Sequence, residues 1–325
     1  MTERIARIAG IGAYLPDRIL TNTELSKMVD TSDDWIRERT GIHQRHIAAD
    51  TQLTSDLATQ AAQRALDDAG ISASDVDMVI VATTTPDNTF PSTATKVQAA
   101  LGARTGASFD VQAVCSGFIY SLSIADNFIA RGQAQTVLVI GAETMSRILD
   151  WTDRTTCVLF GDGAGAMVLT GEDPTDDPKQ ARVLASYLRS DGRFKELLYV
   201  DGGPSSTQTV GHLRMAGNQV FRHAVNNIAE SMTTICKQVD IQIEDVDWFV
   251  PHQANQRILE GVARKLSIPT GKVISTVADH GNTSAASVPM AFERAAIDGR
   301  IKRGDLVLME ALGGGFTWGA TLVRY

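Results

Sequence analysis

The sequence points to an α/β protein assembled from two halves on one plan. Short β-type runs alternate with longer helical ones along the chain. Three segments of the first half also return, in the same order, in the second. "ISASDVDMVIVAT" (71–83) is echoed by "IQIEDVDWFVPHQ" (241–253), "RGQAQTVLVIGAE" (131–143) by "RGDLVLMEALGGG" (303–315), and "GAGAMVLTG" (163–171) by "TWGATLVRY" (317–325). We therefore expect a first half over 1–172, a crossover or insertion over 173–210 and a second half over 211–325. The crossover opens on a polar, proline-containing stretch, "GEDPTDDPKQ".

The elements follow in chain order. "TNTE" (21–24) has the form of a capping box and opens a helix. "VDMVIVATTT" (76–85) reads as a strand, and "STATKVQAALG" (92–102) as a helix stopped by Gly102. "ASFDVQAV" (107–114) is a strand, "GFIYSLSIADNFIARG" (117–132) a helix and "TVLVIGAE" (136–143) a strand. In the second half, Phe221, Ala224, Ile228, Met232, Ile235 and Val239 recur at steps of three and four, which is one buried helical stripe. That stripe also makes Cys236 a core residue. "KVISTVADHG" (272–281) is expected to be a strand, the second-half counterpart of "ASFDVQAV".

Composition narrows the function. At 43% apolar and 21% charged, the 325-residue chain has the make-up of an ordinary soluble enzyme or binding protein. A net charge of −8 argues against nucleic-acid binding by bulk electrostatics. Three widely separated cysteines, Cys115, Cys157 and Cys236, fit a reducing compartment better than a disulfide framework. "MTERIARIAG" has no long apolar core of a secretory signal, and runs such as "VLVIGA" are too short to span a bilayer, so a cytoplasmic location without membrane contact is expected. "HQRH" (43–46) lacks further clustered ligands, so no metal is expected.

Three polar residues fall at ends of expected strands, where open α/β sheets gather ligands. Cys115 follows "ASFDVQAV", His252 follows "VDWFVP" and Asn282 follows "KVISTVADHG". A thiol at the start of a helix should have a lowered pKa and act as a nucleophile. On local sequence alone, a lone cysteine in an apolar segment reads more readily as packing than as chemistry. His252 alone could be a structural histidine, and "HGNTSAAS" (280–287) a Gly-rich turn capping a helix. Together the three suit acyl transfer through a thioester: a thiolate takes the acyl group and two neutral donors stabilise an oxyanion or enolate. "GGGFTWG" (313–319) could add backbone N–H groups beside the thiol.

Several long motifs then carry a resemblance over essentially the whole chain: "TSDDWIRERTGI", "VCSGF", "FGDGAGA", "GNQVF", "PHQAN", "HGNTSAAS" and the terminal "GGGFTWG". In this order they resemble the β-ketoacyl-acyl-carrier-protein synthase III family of the thiolase-like superfamily. The resemblance implies mixed five-stranded sheets in an αβαβα layering. It implies that an acyl-CoA, commonly acetyl-CoA, acylates Cys115. Decarboxylative condensation with malonyl-acyl carrier protein would follow, assisted by His252 and Asn282, with the backbone of Cys115 and Gly314 as oxyanion hole. It places Trp35, Arg39 and Arg154 around CoA, which is a substrate, and implies no cofactor. Gln253, Ala254, Asn255, Gln256 and Arg257, with Arg222 and Arg264, would meet an acidic acyl carrier protein. Phe90 would cross a homodimer interface into the partner's acyl pocket.

One departure is Leu312, where the family often has Phe before the glycines; it bears on primer length. A related synthase using longer or branched primers, or making a secondary metabolite, keeps the same trio. A Cys-His-Asn thioester hydrolase is the alternative of a different class, and the duplicated halves and CoA-type motifs count against it. No cysteine follows Cys236, which disfavours a degradative thiolase.

Overall fold

The computed structural model describes residues 4–325. Its first sheet contains β1 (Ile5–Tyr14), β2 (Met78–Ala82), β3 (Ala107–Val111), β4 (Thr136–Thr144) and β5 (Asp162–Glu172), in the spatial order β1-β5-β4-β2-β3. The β4–β2 and β2–β3 pairs are parallel; those made by β5 are antiparallel. Every residue of β2 and β4 is buried, as expected for strands covered on both faces.

The second sheet repeats this layout. It contains β6 (Arg182–Ser190), β7 (Trp248–Pro251), β8 (Leu306–Gly313) and β9 (Thr317–Arg324), in the order β6-β9-β8-β7. β7 and β8 are parallel and the other pairs antiparallel. Trp248 sits opposite Val307 as Met78 sits opposite Val137, so the echoed segments occupy equivalent positions.

Two expectations change here. Residues 182–190, expected within the crossover, form β6 and take the place in the second sheet that β1 holds in the first. The strand expected over 272–281 shrinks to a single parallel bridge between Val273 and Phe249, followed by a helical turn, Val277–His280. The second sheet therefore has four strands and a rudimentary fifth. The ladder stops for a visible reason. Ile274 N–H donates to Phe249 O at 2.8 Å, but the side chain of Gln253 then takes over, its Oε1 accepting from Thr276 N at 2.8 Å.

Seven helices of eight residues or more complete the described fold: α1 (Asp33–Thr40), α2 (Thr54–Ala69), α3 (Thr93–Leu101), α4 (Gly117–Ala130), α5 (Gly217–Gln238), α6 (Gln256–Lys265) and α7 (Ser287–Ile297). The capping box at Thr21 and Glu24 forms as expected, over the short helix Asn22–Leu25. α3 has Ser92 as N-cap and Gly102, at φ 67°, as C-cap. α4 and α7 lie between the sheets, sharing one apolar core with both. α2 and α3 cover the outer face of the first sheet, and α5 and α6 that of the second, with Cys236 in the core. The layering is αβαβα, and it brings the starts of α4 and α7 face to face at the centre. No helix is long and apolar enough to cross a membrane among the described residues.

Candidate active site

Between the halves lies a cavity of about 240 Å³ whose lining includes Cys115, His252, Asn282, Leu312, Phe221 and Arg257. Three residues far apart in sequence meet there: Cys115 lies beyond β3, Asn282 beyond the remnant of the corresponding second-half strand, and His252 beyond the neighbouring strand β7. Cys115 lies in a 3-10 turn, Val114–Ser116, between β3 and α4. That turn is pinned to the other half: Thr317 Oγ1 donates to Ala113 O at 2.8 Å and lies 2.7 Å from Ser116 Oγ, which donates to it. Gly313 is packed so closely that a Cβ there would stand 2.6 Å from Cys115 N, so only glycine fits. Gly314 is its neighbour in the chain.

The thiol departs from expectation. Cys115 is buried, and the loss of solvent around the sulfur pushes its pKa up to about 12. The nearby Glu143 carboxyl adds a smaller push in the same direction.

His252 is held by its backbone N–H on Glu310 O at 2.8 Å and by its ring Nδ1, 2.7 Å from Ser287 Oγ. Ser287 Oγ also accepts the Gln253 N–H at 3.3 Å, and its own proton is available to Nδ1. With the Ser287 hydroxyl donating to Nδ1, a neutral ring carries its proton on Nε2 and presents a donor there. Burial drops the His252 pKa to about 3, so the ring is neutral. Asn282 is fixed in the same manner. Its Oδ1 accepts the Ser284 N–H at 2.9 Å, which leaves the amide NH2 as the free side of the group. Its backbone is tied to Leu159 O and to Gly161 N. The site thus holds one thiol and two neutral, pre-oriented donors.

The three residues expected around CoA also meet. The guanidinium groups of Arg39 and Arg154 lie 5.0 Å and 5.2 Å from the centroid of the half-buried Trp35 ring. Arg39 lines the cavity as well, so this cluster stands at its mouth. Arg222, Arg257 and Arg264 are exposed, Arg257 lying 6.0 Å from the Phe221 ring. Ala254 and Asn255 line the cavity, and Asn255 caps α6. Gln256 is half-buried, next to Ser275.

Gln253 does not fit a docking role. It is 1% exposed, and its Nε2 donates to Pro251 O at 2.7 Å. It ties β7 to the 274–276 segment instead. Phe90 is 83% exposed, outside the cavity, whereas Leu312 is buried in its wall.

Sequence reasoning missed Ser287, Ser284 and Glu143. For Glu143 a signal was present: an acid ending an otherwise apolar strand, with three threonines, Thr83 to Thr85, after the neighbouring strand.

Comparison with known proteins places the chain in a family. A family model described as "3-Oxoacyl-[acyl-carrier-protein (ACP)] synthase III" matches residues 109–192, and its C-terminal counterpart matches 236–325. The chain is 63% identical over 319 residues to a beta-ketoacyl-[acyl-carrier-protein] synthase III of Paramagnetospirillum magneticum, covering 98% of each chain. It is 62% identical to the protein of that name in Caulobacter vibrioides, again over 98% of each. Its structure is similar to that of 3-oxoacyl-[acyl-carrier-protein] synthase III from Aquifex aeolicus, with a TM-score of 0.93, 48% identity and coverage of 98% and 100%.

Proposed function

The chain belongs to the 3-oxoacyl-[acyl-carrier-protein] synthase III family, and from that premise we propose how its site performs the reaction. The protein is a condensing acyltransferase acting at the initiating step of fatty acid synthesis. The observation that carries our assignment of roles is the single cavity holding Cys115, His252 and Asn282, with both donor groups pre-oriented.

In the first half-reaction the Cys115 sulfur attacks the carbonyl carbon of an acyl-CoA, acetyl-CoA in our reading. The backbone N–H groups of Cys115 and Gly314 stabilise the oxyanion. The C–S bond to CoA breaks, leaving acyl-Cys115 and CoA. Trp35, Arg39 and Arg154 hold the nucleotide by stacking and charge. In the second, malonyl-carrier protein loses CO2. The electron pair of the broken C–C bond becomes an enolate whose oxygen accepts from His252 Nε2–H and the Asn282 amide. The enolate carbon attacks the acyl-cysteine, and the C–S bond to Cys115 breaks, giving a 3-oxoacyl-carrier protein and a Cys115 thiolate that takes up a proton from solvent. Donors suit this step, because a carboxylate in place of the Asn282 amide would repel the developing enolate.

An acidic carrier protein docks on Arg222, Arg257 and Arg264, a local basic face on a chain of net charge −8. Leu312 bounds the acyl end of the cavity. The enzyme works as a cytoplasmic homodimer. Supporting this, β3 ends the first sheet with an unpaired edge and Phe90 stands exposed near it in the chain.

The test is intact-mass analysis after incubation with acetyl-CoA. The unmodified enzyme gains one acetyl group, and Cys115→Ala gains none. An acetyl group mapped to Cys157 or Cys236 in that variant would end this assignment.

A further inference from the structure

No step of the reaction uses Arg45, yet it is the largest side chain buried without any exposure. It lies on a short strand, Gln44–Ile47, paired antiparallel with Arg18–Thr21. A buried cation is costly unless its charge and its donors are met. None of its hydrogen bonds goes to a carboxylate. Nη1 donates to Leu20 O at 3.1 Å and to Asn22 Oδ1 at 2.8 Å, Nη2 donates to Val158 O at 2.6 Å, and Nε has no partner. Packing alone would be better served by an apolar side chain.

Its acceptors belong to the segments on either side of the reacting groups. Val158 opens the stretch of backbone that holds Asn282: Leu159 O accepts the Asn282 N–H at 2.9 Å, Phe160 and Asn282 form a parallel bridge, and Gly161 N donates to Asn282 O at 3.0 Å. The arginine stem fills the space against this bridge. A Cβ at Gly161 would stand 2.9 Å from Arg45 Cβ, and one at Gly281 3.2 Å. On the other side Asn22 extends the contact, its Nδ2 donating to Asp33 Oδ1 and to Ile42 O, both at 2.8 Å. Asp33 starts α1 and Ile42 follows its end, so Asn22 brackets the helix that carries Trp35 and brings Arg39 and Thr40 to the cavity. One planar fork of fixed geometry thus spans α1 and the Asn282 turn.

We propose that Arg45 is a positioning residue for condensation, its guanidinium setting the place of the Asn282 amide relative to the α1 wall of the cavity. The inference rests on Asn282 being a donor to the thioester oxygen. Arg45 touches no reacting atom. It acts by fixing the backbone from Val158 to Gly161, and without it the amide drifts from the position the enolate oxygen takes. Displacement on the order of 1 Å is enough to cost a large part of such a donor's effect. Lysine keeps the charge but presents a single nitrogen, which does not reproduce the fork.

The test separates the half-reactions. Enzyme is acetylated on Cys115 with acetyl-CoA, and its condensation with malonyl-acyl carrier protein is followed per acetyl group, so misfolded chains, which take up none, do not count. Arg45→Lys should slow condensation by ~10–100-fold, while acylation at saturating acetyl-CoA changes little. The decisive readout is a double-mutant cycle. Beside Asn282→Ala, Arg45→Lys should cost no more than about twofold, because the amide it places is gone. A residue that only supports the fold would slow both half-reactions, or slow condensation equally with and without the amide. Either result overturns the inference, as does an unchanged condensation rate. Should Arg45→Lys give no acetylated enzyme, Asn22→Ala decides, since it removes one acceptor of the fork and leaves Val158 O. It should slow condensation only where the Asn282 amide is present; an equal loss in both backgrounds would count against the inference. Failure of the underlying reading looks different: Asn282→Ala alone would condense at the unmodified rate.

Discussion

The turn Val114–Ser116 and its second-half counterpart Ser284–Ala286 can be laid side by side. Each is a 3-10 turn running into a helix, α4 or α7, and each opens on a non-glycine residue at positive φ, 50° at Val114 and 49° at Ser284. A backbone of that kind costs about 1–3 kcal/mol per residue and persists only where the surroundings enforce it. At the next position the turns differ: Cys115 in one, Ala285 in the other. The duplicated fold offers two equivalent central positions and uses only one for a nucleophile. The other half supplies donors, with Asn282 two residues before its strained position. Duplication provides the geometry, and divergence of a few side chains divides the labour.

That division can be attacked most strongly at Asn282. Asn282→Asp keeps an oxygen for Ser284 N but turns an acceptor toward the developing enolate. Condensation should fall by ~100–1,000-fold, the loss typical of removing one such donor, while acylation of Cys115 by acetyl-CoA changes little. Separate rate measurements for the two half-reactions check this. A matching loss in acylation would mean that the halves do not divide the chemistry as described.

A smaller effect concerns how the halves interlock. Gly141 on β4 corresponds to Ala311 on β8, which carries its Cβ fully buried. At Gly141 the methyl would meet the Ala285 carbonyl. Gly141→Ala should cost about 1–3 kcal/mol in urea unfolding, with no such penalty attached to the methyl already present at Ala311. Wild-type stability in that variant would show that the turn can yield.

The smallest effect depends on pH. Glu310 on β8 corresponds to the apolar Ile140 on β4. It is 2% exposed, its Oε2 has no hydrogen-bond partner, and burial pushes its pKa up to about 8 from the ordinary carboxylate value of 4.5. The folded protein holds this proton more tightly than the unfolded chain. The associated stability is therefore complete below about pH 4.5 and is lost as pH rises through about 8. Glu310→Gln should melt close to the unmodified protein in mild acid and a few degrees, ~2–4 °C per kcal/mol, above it in mild alkali. An equal difference at both pH values would show that Glu310 does not titrate in this range.

Much of the fold was legible because local chemistry wrote it. Ser92 and Gly102 mark the ends of α3, and the stripe from Phe221 to Val239 marks the buried face of α5. The echoed segments anticipated the repeated sheet, and the ends of expected strands pointed to Cys115, His252 and Asn282. Illegible were the features set by neighbours distant in the chain. Gln253 sits in a polar motif that reads as surface, yet its amide closes an unfinished sheet edge. The strand expected over 272–281 has the right residues and loses its ladder to that same side chain.

The sequence by itself determined the order of the elements, the duplication and the residue types at the strand ends, since periodicity, caps and apolar runs act over a few residues. Only the tertiary structure decided the protons. A helix start beside Cys115 argues for a lowered thiol pKa, but solvent removed by both halves pushes it up. The same burial makes His252 a neutral donor, and single bonds from Ser287 and Ser284 decide which atoms of His252 and Asn282 are left free. Desolvation and orientation depend on every element packed around a group, so no short stretch of residues could state them.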